Sequence, residues 1–209
     1  MVEKGVAVVT GGSRGIGAAI SRRLAADGFA VAVNYSSSAP QAHEVVESIV
    51  DRGGRATAIK ADVSDAAAAA ELISEATRTL GPPVVLVNNA GINVTRLARS
   101  MSPADWDRVI AVNLSGAFYC THAALPAMYD RGWGRMVFVS SPAAERRPSP
   151  GTGAYAIGPR SPPNPWLPWC LSWLARMEAT YRARRSASGS AALPVYDFCL
   201  VLRRRGRFS

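Results

Sequence analysis

Strand-sized apolar runs alternate with helix-length amphipathic stretches along the first two thirds of the chain, and no other feature limits its fold so strongly. The runs are "GVAVVT" (5–10), "FAVAVNY" (29–35), "RATAIKADV" (55–63), "PVVLVNNAG" (83–91) and "GRMVFVSS" (134–141). Between the first two, residues Gly15 to Asp27 place Ile16, Ile20 and Leu24 four apart on one helix face, and Gly28 stops the helix. Helices are expected again over 40–52 and over 65–79, the latter with Leu72, Ile73 and Ala76 on one face. A further helix opens at a capping Ser102 followed by Pro103, with Asp105 and Asp107 favouring its positive end. A long helix follows from about Asn113 to Asp130. Strict strand–helix alternation specifies an α/β fold with a parallel sheet covered on both faces.

"TGGSRGIG" falls between the first strand and the first helix, with Gly11, Gly15 and Gly17 in a G-x-x-x-G-x-G spacing. Glycines there permit a tight turn and close approach of the backbone to a pyrophosphate. The helix N-terminus adds free N–H groups and a positive dipole end. The expected fold is therefore a Rossmann-type doubly wound sheet that binds a dinucleotide. NAD-binding sites of this kind carry an acid after the second strand to hold the ribose 2′-hydroxyl. This chain has Asn34, Tyr35 and Ser36 there, and Arg14 stands in the glycine loop. A missing acid with a nearby cation favours NADP(H), with NAD(H) left open.

The alternation ends after Tyr155. Residues 1–155 carry 15 Lys+Arg against 13 Asp+Glu, whereas 156–209 carry 9 Arg against 2 acids, so the net charge of +9 belongs mostly to the tail. The tail also holds 6 of 14 prolines and 3 of 5 tryptophans. Two regions follow: a nucleotide-binding domain over 1–155 and an atypical basic Pro/Trp/Arg-rich tail over 156–209. Within the tail, "CLSWLARMEATYRARR" could form a helix, "VYDFCLVL" (195–202) reads as a strand, and "WLPWCLSWL" reads as a makeshift core cover rather than a membrane anchor. No apolar stretch has the length of a bilayer span. The three cysteines, Cys120, Cys170 and Cys199, suit reduced thiols in a cytoplasmic protein. His43 and His122 read as structural, no metal-ligand spacing is present, and no nucleic-acid partner is expected.

At these residues the chain resembles the short-chain dehydrogenase/reductase family, and within it the 3-oxoacyl-acyl-carrier-protein and acetoacetyl-CoA reductases. The resemblance assigns Gly11, Ser13, Arg14, Gly15, Ile16 and Gly17 to the cofactor loop and Asn34, Tyr35 and Ser36 to the ribose end. It assigns Asp62 and Val63 to the adenine and Asn89, Ala90 and Gly91, in "NNAG", to the length of the cofactor. Asn113, Ser141 and Tyr155 take the catalytic places. It implies an enzyme that reduces the carbonyl of a 3-oxoacyl thioester, carried on acyl-carrier protein or CoA, as in fatty-acid biosynthesis. Homo-oligomers are common in the family, and that state is open here.

Two departures stand out. Ser141 lies fourteen positions before Tyr155, one more than the family's usual spacing. The family motif Tyr-x-x-x-Lys reads "YAIGP", so Pro159 stands where the lysine belongs, and no lysine follows Lys60. The tail's composition resembles GC-rich coding sequence read out of frame. The alternative reading is therefore a catalytically impaired, nucleotide-binding homologue, truncated or frameshifted after about residue 155.

Overall fold

The computed structural model describes residues 4–140 and the backbone of a strand at 197–201. The order of elements is β1 (Val6–Val9), α1 (Gly15–Ala26), β2 (Ala30–Tyr35), α2 (Ala39–Val50), β3 (Ala56–Lys60), α3 (Ala66–Leu80), β4 (Pro83–Asn88), α4 (Pro103–Ile110), α5 (Gly116–Asp130), β5 (Arg135–Ser140) and β6 (Asp197–Val201). A 3₁₀ turn at Ala98–Ser100 precedes α4. All the strands pair in parallel, in the order β3-β2-β1-β4-β5-β6. The expected Rossmann-type architecture is thus present, and the expected tail strand at 195–202 is found as β6, beside β5. The boundary placed at 155/156 lies outside the described residues.

Apolar packing covers both sheet faces. Ala7, Val9, Val31, Val33 and Val85 pack under α1 and α2, against Ala42, Val45 and Ile49. Val8, Ala32, Leu86 and Met136 pack on the other face, under Leu72 and Ala76 of α3 and Cys120, Ala124 and Met128 of α5. Strands buried on both faces need continuous apolar runs, which is why β1 and β4 show no polar alternation. Cys120 is fully buried, and burial pushes its thiol up to about 12, so it stays a neutral core residue.

Some local expectations are corrected. The buried face of α1 is Gly17, Ala18 and Ser21, with Ile20 and Leu24 only partly buried and Ile16 45% exposed. Small residues lie against the sheet there because the glycine loop brings the helix very close to it. The two helices expected at 102–110 and 113–130 are one continuous element. A π-helical turn at Ala111–Ser115 joins α4 to α5. Ser102 caps α4 as expected, in a reciprocal capping box with Asp105. No described helix is long and apolar enough to cross a membrane.

Candidate active site

The strand order reverses between β1 and β4, because β1 continues to β2 on one side and β4 to β5 on the other. Ligands of such sheets bind in the crevice this opens at the carboxyl ends of the strands. The loop after β1 and the segment after β4 form its two walls.

Glycine is required in the first wall. Gly11 has φ +60°, and a Cβ on it would lie 3.0 Å from Ala90 Cα. A Cβ on Gly17 would come within contact-forbidding range of the Gly11 carbonyl oxygen and 2.5 Å from Asn89 Nδ2. Gly15, at φ +55°, has open space around its Cβ position, so there the requirement is backbone conformation alone. Arg14 occupies the N-cap of α1 without a side-chain cap, and the first turn carries no acid. The first N–H groups of α1 are therefore left facing the crevice with their positive dipole end. Ser13 is buried beneath the loop, whereas Arg14, Gly15 and Ile16 are exposed along it.

Thr10 and Asn89 join the two walls. Thr10 Oγ1 accepts from the N–H of Asn89 (2.9 Å) and of Ala90 (3.0 Å) and donates to the Val87 carbonyl (3.2 Å). Asn89 Nδ2 donates back to the carbonyls of Thr10 (2.9 Å) and Gly11 (3.1 Å). Asn89 thus holds the glycine loop in place, and the backbone run Ala90–Gly91 leads out over the crevice. Sequence reasoning passed over Thr10. Its signal is a hydroxyl residue at the very end of an otherwise apolar strand. Asn88, also outside the assigned set, is 7% exposed and donates to Thr121 Oγ1 of α5 at 3.2 Å.

Asn34 needs correction as a cofactor contact. Its side chain is buried and fully engaged within the protein. Asn34 Oδ1 accepts from the Gly11 N–H at 3.1 Å, and its Nδ2 donates to the carbonyls of Ala61 (3.1 Å), Ile59 (3.3 Å) and Tyr35 (3.4 Å). Its own carbonyl accepts from Gly12 N at 2.8 Å. The amide pins the glycine loop to β2 and β3, and only Tyr35 and Ser36 remain at the surface of the ribose end. His43 of α2 places its ring 6.4 Å from that of Tyr35.

Beyond β3, Asp62 Oδ1 accepts from both the N–H (3.0 Å) and the hydroxyl (2.7 Å) of Ser64. These two bonds, helped by the Arg108 charge, hold the Asp62 carboxyl below its usual value and keep it ionised. The Asp62 residue is exposed. Val63 is buried next to it, and a Cβ on Gly116 would lie 2.9 Å from the Val63 carbonyl, so α5 begins hard against this turn.

Asn113 lies in the π-helical turn. It bonds reciprocally to the backbone of Ile92, accepting from its N–H at 2.8 Å and donating to its carbonyl at 2.9 Å. Extra turns of this type are common at functional sites. Here the turn delivers a carboxamide to the loop just past Gly91. Ser141, Tyr155 and Pro159 lie outside the described residues. β5 ends at Ser140, paired with β4 on the crevice side of the sheet. Among the described residues no cluster of histidine, cysteine and acidic side chains could hold a metal.

A glycine-lined turn, a helix N-terminus without a side-chain cap and an ionised, exposed carboxylate fit the pyrophosphate and adenine of a dinucleotide. Comparison with known proteins agrees. Residues 5–157 match the short chain dehydrogenase family. The 3-oxoacyl-[acyl-carrier-protein] reductase FabG of Staphylococcus aureus is 44% identical over 135 residues, 65% of this chain and 55% of that protein. The chain therefore spans little more than half the length of such curated relatives. A short-chain dehydrogenase/reductase of Serratia marcescens superposes with a TM-score of 0.70 at 38% identity, over 88% of this chain and 71% of that one. A blue fluorescent protein from a metagenomic library, solved in complex with NADPH, gives 0.69 at 37% identity over 85% and 70%. From its crevice, its sheet order and this match, the chain belongs to the short-chain dehydrogenase family.

Proposed function

We propose that this chain binds NADP(H), in preference to NAD(H), in the β1/β4 crevice, as the cofactor half of a carbonyl reductase of the 3-oxoacyl thioester type. The observation that carries the reading is the loop itself, where Gly11 and Gly17 leave no room for a Cβ and α1 points an uncapped N-terminus outward. The N–H groups of that turn would hold the pyrophosphate, and the Asp62 carboxylate would hold the adenine. Arg14 in the loop would supply the cation for a 2′-phosphate, with Tyr35 and Ser36 in place of the acid an NAD site carries. A bound nicotinamide supplies the hydride. On the chain's side, Asn113 holds the Ile92 loop, Ser141 holds the carbonyl oxygen and Tyr155 gives the proton.

Pro159 favours a slow or inactive version of that reaction. A free tyrosine titrates near 10, and the missing lysine is the cation that would bring it toward neutrality. A proline inside a helix also costs about 3 kcal/mol. General acid–base catalysis is worth about 10²–10⁴ in rate, and misplacement by 1 Å costs about 10² more.

Two measurements test the reading. Equilibrium titration should show NADPH bound more tightly than NADH, with Arg14→Ala shrinking the difference; equal affinities would refute the preference. NADPH consumption with acetoacetyl-CoA should be at least about 10²-fold slower than in a version carrying a Tyr-x-x-x-Lys helix. Comparable rates would show that another group does the lysine's work. Acyl-carrier-protein thioesters and a cytoplasmic setting belong to the same proposal.

A further inference from the structure

The carboxyl ends of β2 and β3 form a basic corner. Tyr35 and Lys60 end these two strands and stand directly opposite each other in the parallel register. Neighbouring strands lie about 4.8 Å apart, and side chains two residues apart on a strand share a sheet face. Val33 and Ala58, the register pair two residues earlier, pack with Tyr35 into the cluster under α1 and α2. Lys60 therefore emerges on that same face. β3 is the edge strand, and Lys60 is exposed there.

A second basic group comes from α2. A helix that links two parallel strands runs back against them, so α2 begins at the carboxyl edge. His43 lies about 6 Å below Ala39, at a rise of 1.5 Å per residue. Its ring is exposed, centred 6.4 Å from that of Tyr35 and tilted at 59° to it. Ser48, which bonds to Arg22, marks the flank of α2 that faces α1. The buried Ala42, Val45 and Ile49 separate that flank from His43, which lies on the β3 side. Among the described residues no carboxylate pairs with Lys60 or His43. The acids of α2 nearest to it in sequence, Glu44 and Glu47, are exposed, and Glu47 stands one turn farther from the crevice edge.

We propose that Lys60 and His43 are specificity-determining residues for the cofactor's 2′-phosphate, holding it over Tyr35 and Ser36 from the side opposite Arg14. The inference rests on the reading of the crevice as an NADP(H) site. Where such sites carry an acid, it holds the ribose 2′-hydroxyl at the end of β2. A phosphate on that hydroxyl comes to the same place. Asn34 has no donor left for it, because its amide is spent on the Ile59 and Ala61 carbonyls. The Lys60 ammonium supplies a point charge on a flexible stem, and the His43 ring supplies an N–H donor. A phosphate presents three acceptor oxygens, more than the Arg14 guanidinium engages from one side.

Equilibrium titration of the full chain with NADPH, NADH and 2′,5′-ADP tests this. Lys60→Ala should weaken NADPH and 2′,5′-ADP about tenfold, the worth of one charge-assisted hydrogen bond, and leave NADH within about twofold. His43→Ala should act in the same direction by about threefold. Lys60→Arg, which keeps the charge, should retain the preference for NADPH. Both positions are exposed, so the urea midpoints should stay at the wild-type value and separate binding from folding. A wild type that prefers NADPH, and keeps that preference whole in Lys60→Ala or in His43→Ala, overturns this inference and spares the NADP(H) reading. Equal losses of NADPH and NADH do the same, since they report damage to the whole cofactor site. A wild type without preference overturns both.

Discussion

Replacing Gly17 by alanine should separate the loop's binding role from the stability of the sheet. The added Cβ would overlap the Gly11 carbonyl oxygen and lie 2.5 Å from Asn89 Nδ2 and 3.0 Å from the Gly11 carbonyl carbon. Ordinary carbon–oxygen contacts are no closer than about 3.3 Å, so the loop must retreat by about 1 Å. The obstacle is backbone, and no side-chain rotation relieves it. Overpacking of this sort costs about 1–3 kcal/mol in stability. The retreat also moves Gly11 away from Asn89, whose Nδ2 bonds to Thr10 and Gly11 register the loop against β4. Two or three N–H bonds to phosphate are then lost or lengthened, at about 1.5 kcal/mol or more each. NADPH affinity should fall on the order of 10²-fold, more than the stability loss alone explains. The assay is NADPH titration by fluorescence or calorimetry, paired with urea unfolding of the same samples. Gly15→Ala is the control, because nothing lies within 4 Å of its Cβ position and only the φ of +55° is strained, costing about 1–2 kcal/mol. NADPH affinity for Gly17→Ala within twofold of wild type would refute the close-approach argument.

Other variants probe the walls of the crevice. Asn34→Asp should not create an NAD-type site; it replaces the amide that donates to the Ile59 and Ala61 carbonyls with an acceptor, so stability near neutrality should drop by about 3 kcal/mol in urea unfolding. A stable, NADH-preferring Asn34→Asp protein would contradict that geometry. Thr10→Val leaves the Asn89 and Ala90 N–H groups without their acceptor and should cost about 3 kcal/mol, whereas Thr10→Ser, which keeps the hydroxyl, should cost about 1 kcal/mol. Hydrogen bonds from Ser64 hold Asp62, and those from Ser102 hold Asp105, below the usual carboxyl value of 3.8. Their contribution is therefore complete above about pH 4 and is lost as pH falls through the lower folded values. Ser64→Ala should flatten the fall of the urea midpoint below about pH 4, and an unaltered slope would remove Asp62 from that account.

Much of this protein was determined by sequence alone, because local periodicity needs no partner to be read. The runs that became β1 and β4 are apolar along almost their whole length, as a strand covered on both faces requires. Leu72, Ile73 and Ala76 marked the inner face of α3, and Ser102 with Pro103 marked the start of α4. Gly11, Gly15 and Gly17 marked the turn, since only glycine meets both its φ values and its contacts. Tertiary structure decided what each polar side chain does. Asn34 stands where a ribose contact was expected, yet its amide is spent on Gly11, Ile59 and Ala61, because three strands and the loop converge there and leave backbone groups to satisfy. Thr10 shows in sequence only as a hydroxyl at a strand's end, and its value comes from Asn89, just after β4 and 79 residues away. Ile16 looked like part of an apolar helix face but is exposed, because α1 packs on the sheet through Gly17, Ala18 and Ser21. The π-helical turn that holds Asn113 against Ile92 has no local code, since the extra residue is stabilised by a loop that reaches it only in the folded chain.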